Sequence, residues 1–194
     1  MKKLIRLFFI LFITFTCYDS LADINFITAY KDKFVGITDN TIVISPNGEN
    51  WNVITKSGTS NWLNSIAVNS KGEFVAVGSH GTILTSSVGP DGTLTWNQAK
   101  SGTSNHLYSV AVNSRGEFVA VGYDGTILTS SVGSDGTITW NQAKSGTSNH
   151  LYSVAVNSKG EFVAVGSHGT ILTSSVGPDG TLTWNQAKSG TSNH

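Results

Sequence analysis

Between residues 107 and 144 the chain alternates short apolar runs with clusters of Gly, Asn, Asp and Ser, and no run is long enough for a helix. Residues 107–113 end at the turn Asn113-Ser114-Arg115-Gly116, and residues 117–122 end at Tyr123-Asp124-Gly125. Residues 126–132 end at Gly133-Ser134-Asp135-Gly136, and residues 137–144 close the unit. Apolar runs of strand length bounded by such turn residues predict four strands. In neighbouring units the third turn reads Gly-Pro-Asp-Gly, as at Gly89-Pro90-Asp91-Gly92. Proline presets φ at the first turn position and the last glycine accepts a positive φ, so the third and fourth strands form a hairpin. Phe118-Val119-Ala120-Val121 is apolar at every position. A sheet with one wet face would alternate, so both faces of this sheet are predicted to be covered.

The unit recurs. Trp51, Trp96, Trp140 and Trp184 lie 45, 44 and 44 residues apart. Residues 96–139 and 140–183 differ only at Arg115/Lys159, Tyr123/Ser167, Asp124/His168, Ser134/Pro178 and Ile138/Leu182. A shorter, diverged unit precedes them, with Phe26-Ile27-Thr28-Ala29-Tyr30 set against Val110-Ala111-Val112-Asn113-Ser114. Four antiparallel strands with both faces buried, repeated every ~44 residues, predict an all-β fold, a β-propeller with about four blades. The blades fall near residues 24–56, 63–100, 107–144 and 151–188, within a domain covering 23–194. The alternative is a linear β-solenoid, which needs no hairpin at every step.

Residues 1–22 read differently. Lys2, Lys3 and Arg6 precede the apolar run 7–15, and Ser20-Leu21-Ala22 places small residues at the −3 and −1 positions of a cleavage site. This pattern predicts a signal peptide and export to the periplasm, cell surface or exterior. No later apolar stretch is long enough for a membrane span. Without that segment Cys17 is lost, leaving no thiol nucleophile and no disulfide, so stability must come from packing. The balance becomes 9 basic against 11 acidic residues. Only 12% of the full chain is charged, which argues against a nucleic-acid binder.

Phe-Val-Ala-Val-Gly-x-x-Gly-Thr-Ile-Leu-Thr-Ser occurs at 74–86, 118–130 and 162–174. It resembles the secreted bacterial propellers related to the photosystem II stability/assembly factor and the Asp-box, sialidase-type (BNR) repeats. Ile44-Ser45-Pro46-Asn47-Gly48-Glu49-Asn50-Trp51 is similar to the Asp-box Ser-x-Asp-x-Gly-x-x-Trp, one residue shorter and with Asn47 for Asp. The later units place Ser87, Asp91, Gly92 and Trp96 in the same order over two more residues. The resemblance covers residues 24–188 and implies a propeller scaffold. It leaves activity open, because Asp-boxes are structural turns in enzymes and binders alike.

Sialidase activity, which the resemblance raises, requires three arginines around the substrate carboxylate. After residue 22 the chain has one arginine, Arg115, at a turn position where sister units carry Lys71 and Lys159. A glycosidase needs two facing carboxylates. Glu73, Glu117 and Glu161 share one blade position and Asp91, Asp135 and Asp179 another, which spreads them around a ring as solvated turn residues. His80, His106, His150, His168 and His194 show no His-x-x-x-His or Glu-x-x-His spacing, so no metal site and no cofactor are expected. The recurrent tryptophans fit blade-to-blade packing. The chain therefore reads as non-catalytic.

Where units differ, the chemistry concentrates on one face. In a four-stranded meander the turn between the second and third strands lies beside the linker to the next blade. That face varies as Ser79-His80/Tyr123-Asp124/Ser167-His168, Trp62/His106/His150 and Asn64/Tyr108/Tyr152, whereas the opposite face shows only mild exchanges. Trp62, His80, His106, Tyr108, Tyr123, Asp124, His150, Tyr152 and His168 are thus the candidate ligand-binding residues. They suit a protein partner or a glycan; the plainer reading is drift in loop positions. Alternatively, the chain serves as an assembly factor for exported or membrane complexes. The last residues, Ser189-Gly190-Thr191-Ser192-Asn193-His194, repeat the linker 101–106. The array reads as cut at a repeat boundary, either an incomplete ring or one completed by self-association, and association is expected because bare blade faces are apolar.

Overall fold

The computed structural model describes residues 23–56, 58–88, 94–133, 136–177 and 180–190. The expected signal peptide lies outside these residues. Four separate antiparallel sheets follow one another along the chain. The first comprises β1 (Phe26–Tyr30), β2 (Lys33–Thr38), β3 (Thr41–Ser45) and β4 (Asn52–Lys56). The second comprises β5 (Leu63–Val68), β6 (Phe74–Gly78), β7 (Ile83–Val88) and β8 (Leu94–Ala99). β9 (Leu107–Val112), β10 (Phe118–Gly122), β11 (Ile127–Val132) and β12 (Ile138–Ala143) form the third, and β13 (Leu151–Val156), β14 (Phe162–Gly166), β15 (Ile171–Val176) and β16 (Leu182–Ala187) the fourth. Each sheet is a meander in chain order. The first strands of adjacent sheets pack closest and the fourth strands barely meet, as in blades splayed about a common axis. The fold is a β-propeller array of four blades.

Three apolar clusters hold the blades together, one at each junction. Val35, Ile37 and Ile42 of the first blade meet Leu63, Ile66, Phe74, Ala76 and Leu84 of the second. Val75, Val77 and Ile83 then meet Leu107, Val110, Phe118, Ala120, Leu128 and Trp140. Val119, Val121 and Ile127 meet Leu151, Val154, Phe162, Ala164 and Leu172. Alternate residues of Phe-Val-Ala-Val thus serve opposite junctions, which is why the run is apolar throughout. One face of a blade, the phenylalanine face, carries Phe, Ala and Trp; the other, the valine face, carries the two valines. Every internal junction joins a valine face to the phenylalanine face of the following blade.

Polar groups reinforce the hub. Val110 N donates to Ser65 Oγ at 3.2 Å and Val154 N to Ser109 Oγ at 3.3 Å, each bond crossing between blades. Within blades, the amides of Phe74, Phe118 and Phe162 donate to Ser86, Ser130 and Ser174 at 2.7–2.8 Å. Ser130→Ala strands the Phe118 amide and is expected to cost about 1–2 kcal/mol, read as a lower urea midpoint at unchanged slope.

The first blade departs from its sisters at its turns. Tyr30 pairs with Lys33 across a two-residue turn, whereas Val112 pairs with Phe118 across five residues. The shorter turn shifts the alignment suggested by sequence by one residue: Ile27, not Phe26, holds the position of Val110, opposite Gly36 as Val110 is opposite Ala120. The Asp-box-like turn is built on side chains. Ser45 Oγ accepts from Gly48 N at 2.8 Å, Asn47 Oδ1 accepts from Glu49 N and Asn50 N at 3.1 Å, and Trp51 Nε1 donates to Gly48 O at 3.0 Å. In the later blades the indole nitrogens of Trp96, Trp140 and Trp184 are buried with no hydrogen-bond partner among the described residues. In the third and fourth blades a backbone bond spans this turn instead, Gly136 N to Gly133 O and Gly180 N to Gly177 O, both at 3.0 Å.

Candidate functional site

The candidate residues are placed by one recurring arrangement. After the second strand of blades two to four the chain makes a tight hairpin turn, Ser79–Gly81, Tyr123–Gly125 and Ser167–Gly169, whose last two residues both have positive φ, as in a type I′ turn. The amides of Ser79, Tyr123 and Ser167 donate to Trp62 O, His106 O and His150 O at 2.8–2.9 Å. Linker asparagines Asn61, Asn105 and Asn149 donate to Thr82, Thr126 and Thr170 Oγ1 at 2.8–2.9 Å. Turn and linker are therefore locked side by side on one face, as the meander argument requires.

This geometry explains part of the variation between units. The middle turn residue takes φ of 54° at His80, 53° at Asp124 and 54° at His168. Asp and His tolerate this left-handed region better than most residues, so backbone conformation alone accounts for a choice between them. Tyr123, one residue earlier, carries no such constraint.

The face brings most of the candidates into one belt of rings. His80 and His106 have centroids 5.0 Å apart, and His106 and Tyr123 6.5 Å. Tyr123 stacks on His150 at 4.2 Å with planes 25° apart. His150 meets Tyr152 edge-on at 6.3 Å, and Tyr152 lies 5.8 Å from Tyr108. The belt joins blades two, three and four without a break. Asp124 is tied in through its backbone, whose amide donates to His150 Nδ1 at 3.2 Å. Trp62 holds the position of His106 and His150 at the first-blade end; it is 66% exposed and no ring contact ties it to the belt among the described residues. His168 holds the corresponding turn position in the fourth blade, at the other end.

Burial distinguishes the members. Tyr123 and Tyr152 are exposed, while His106, His150 and Tyr108 are half-buried. Burial, then the neighbouring Tyr152 and Tyr123 phenols, push Tyr108 above its ordinary value near 10. A raised folded value means that the unfolded chain gives up this proton first. The contribution is intact below pH ~10 and is lost as pH rises through the folded value. Stability is expected to fall more steeply above pH 10 than in Tyr108→Asn, measured by urea unfolding across that range. Asparagine is the native residue at this position one blade earlier, where Asn64 Nδ2 donates to Leu107 O at 2.8 Å.

The carboxylates have structural partners. Glu73, Glu117 and Glu161 accept from Asn69, Asn113 and Asn157 Nδ2 at 2.6 Å, and Glu117 also pairs with Arg115 at 2.7 Å. Among the described residues no three His, Cys, Asp or Glu side chains are grouped to hold a metal. Nor is any helix there long and apolar enough to cross a membrane. Sequence reasoning did not single out a cleft of about 270 Å³ on the opposite face. It is lined by Tyr30, Val35, Ile44, Phe74 and Leu94 and rimmed by Lys31 and Lys33. It exists because the tight first-blade turn lays Tyr30 edge-on against Phe74 at 5.7 Å, a change no residue-by-residue alignment would reveal.

Residues 22–194 match the family described as photosynthesis system II assembly factor YCF48. The chain belongs to that family. Among solved structures it is similar to YCF48 from Cyanidioschyzon merolae (TM-score 0.61, 19% identity, 88% of this chain and 60% of that one). A structure of YCF48 bound to D1 peptide is similar at TM-score 0.58 and 23% identity, over 82% and 51% of the two chains. Virginiamycin B lyase from Staphylococcus aureus superimposes at TM-score 0.66 with 12% identity, over 87% and 57%. Identities this low establish the propeller fold and nothing finer. The chain spans about half to three-fifths of these proteins' lengths. No curated protein matches it significantly.

Proposed function

We propose that this chain is an exported, non-catalytic binding propeller that holds a peptide segment of a client protein along the linker face. The observation that carries this reading is the unbroken belt from His80 through His106, Tyr123, His150 and Tyr152 to Tyr108. Rigid aromatic side chains provide contact area at small entropic cost, and tyrosine is among the residues that most often dominate binding energy. Loops fixed on a rigid scaffold are where recognition residues gather. The family's assembly role and the peptide bound to the YCF48 relative support a protein client over a small molecule.

The test exploits the repeat. Tyr123→Ser with Asp124→His rewrites the third-blade turn as the fourth-blade turn, so stability should hold within about 0.5 kcal/mol. Peptides enriched on the wild-type chain from a displayed library of random linear sequences should bind the double variant at least tenfold more weakly. That loss corresponds to about 1.4 kcal/mol. Enriched peptides indifferent to the exchange would overturn the placement. Binding confined to a glycan array would replace the peptide with a carbohydrate ligand.

A further inference from the structure

One corner of the junction between the first two blades is built unlike its counterparts. In the later junctions the first turns of adjacent blades meet through an asparagine. Asn69 lies 3.5 Å from where a Cβ of Gly116 would stand, and Asn113 lies 3.8 Å from that of Gly160. Both asparagines are occupied within their own turns, accepting from two backbone amides and donating to Glu73 or Glu117. At the first junction Tyr30 takes this place, and glycine at 72 makes room for it. A Cβ there would stand 2.6 Å from the Tyr30 hydroxyl oxygen. Tyr30 lies edge-on to Phe74, and beside the pair opens the cleft of about 270 Å³. Val35 and Ile44 line it from the first blade and Leu94 from the second. Both walls therefore belong to an internal junction.

We infer that this cleft binds a small carboxylic acid with an apolar body, the body against Tyr30 and Phe74 and the carboxylate at the mouth. Lys31 and Lys33 stand at that mouth with Asp32 between them, which leaves the rim net positive. Neither ammonium has a carboxylate within salt-bridge distance among the described residues. Lys31 Nζ is held 5.1 Å from the centroid of the Tyr30 ring, which keeps one charge beside the cleft. An apolar floor under two unneutralised cations matches a ligand that is greasy at one end and anionic at the other. Liquid water fills roughly 30 Å³ per molecule, so the cleft has room for about nine non-hydrogen atoms. An aryl ring on a short alkyl chain fills it and leaves the carboxylate outside, where charge-assisted bonds to the lysines form. The cleft contains no residue of the ring belt and lies on the face away from the linkers. The inference is therefore independent of the peptide reading.

Titration of the full chain with 3-phenylpropionate, followed by amide chemical shifts, tests the site. Shifts should concentrate at residues 30–33, 72 and 74 and saturate with a Kd on the order of 1 mM. The neutral isostere 3-phenylpropanamide should bind roughly fivefold more weakly, because it keeps the apolar contacts and loses the charge-assisted ones. Lys31→Gln with Lys33→Gln should weaken the acid by a similar factor and leave the amide unchanged. Both lysines are exposed, so this double variant should keep its far-UV circular dichroism. Lys159→Gln removes an exposed lysine from a fourth-blade turn and should leave the Kd of the acid as it is. Ile44→Phe fills the cleft and should abolish the shifts. Absence of saturable shifts at these residues up to about 10 mM acid would overturn the inference. So would shifts spread evenly over the surface, equal binding of acid and amide, or a double lysine variant that binds the acid as the wild type does.

Discussion

Phe118→Ala is expected to remove about 3–5 kcal/mol of unfolding free energy, whereas Phe34→Ala should remove less than about half of that. The two phenylalanines occupy the same position in their sheets, opposite Val112 and Ala29. Phe118 is fully buried between the second and third blades, while Phe34 is 37% exposed at the end of the array. Truncating Phe118 opens a cavity in the close-packed middle junction, whereas solvent already reaches the Phe34 site. The comparison holds residue type and strand position constant; the main difference is whether a neighbouring blade covers the ring, with Ala29 in place of Val112 as cross-strand partner a smaller one. Urea unfolding followed by tryptophan fluorescence should resolve the difference, and equal losses would refute this account of the junctions.

Gly125→Ala is expected to destabilise the chain by about 2 kcal/mol or more and to break the ring belt. Gly125 has φ of 63°, a region that costs alanine roughly 1–2 kcal/mol. The space is also closed, since a Cβ there would strike Thr147 O in the linker to the fourth blade. The backbone must move, and the contact it separates is the one that brings Tyr123 onto His150. Gly146→Ala is the control: its φ of 74° is similar, but no atom lies near where its Cβ would point. The conformational penalty should appear in both variants, and loss of the Tyr123–His150 contact only in Gly125→Ala.

Most of the blade architecture could be read from the residues, because its causes are local. The Phe-Val-Ala-Val runs declare two covered faces, and Gly-Ser-Asp-Gly and Asn-Ser-Arg-Gly mark the hairpins. The linker-face grouping followed from meander topology alone. Three features were hidden for physical reasons. The left-handed φ at His80, Asp124 and His168 supplies a conformational motive for residues that look chosen for chemistry, and spacing does not reveal it. The one-residue slip of β1 depends on whether the chain turns in two residues or five, and Tyr30-Lys31-Asp32-Lys33 has no glycine to announce a tight turn. The belt itself arises between blades, from rings 26, 27 and 44 residues apart in sequence. A repeat alignment places such residues at equivalent positions without saying that they touch.

The central claim is radial: successive sheets stand side by side about one axis, bringing the turn of one blade against the linker of the next. Nuclear Overhauser contacts between the Tyr123 and His150 rings test it most directly, because these rings are 4.2 Å apart across a blade boundary. The account predicts strong ring-to-ring cross-peaks that disappear in Tyr123→Ser while the spectrum of the buried phenylalanines is retained. Assigned rings without cross-peaks, in a chain whose hairpins are otherwise intact, would contradict the side-by-side arrangement and the recognition face built on it.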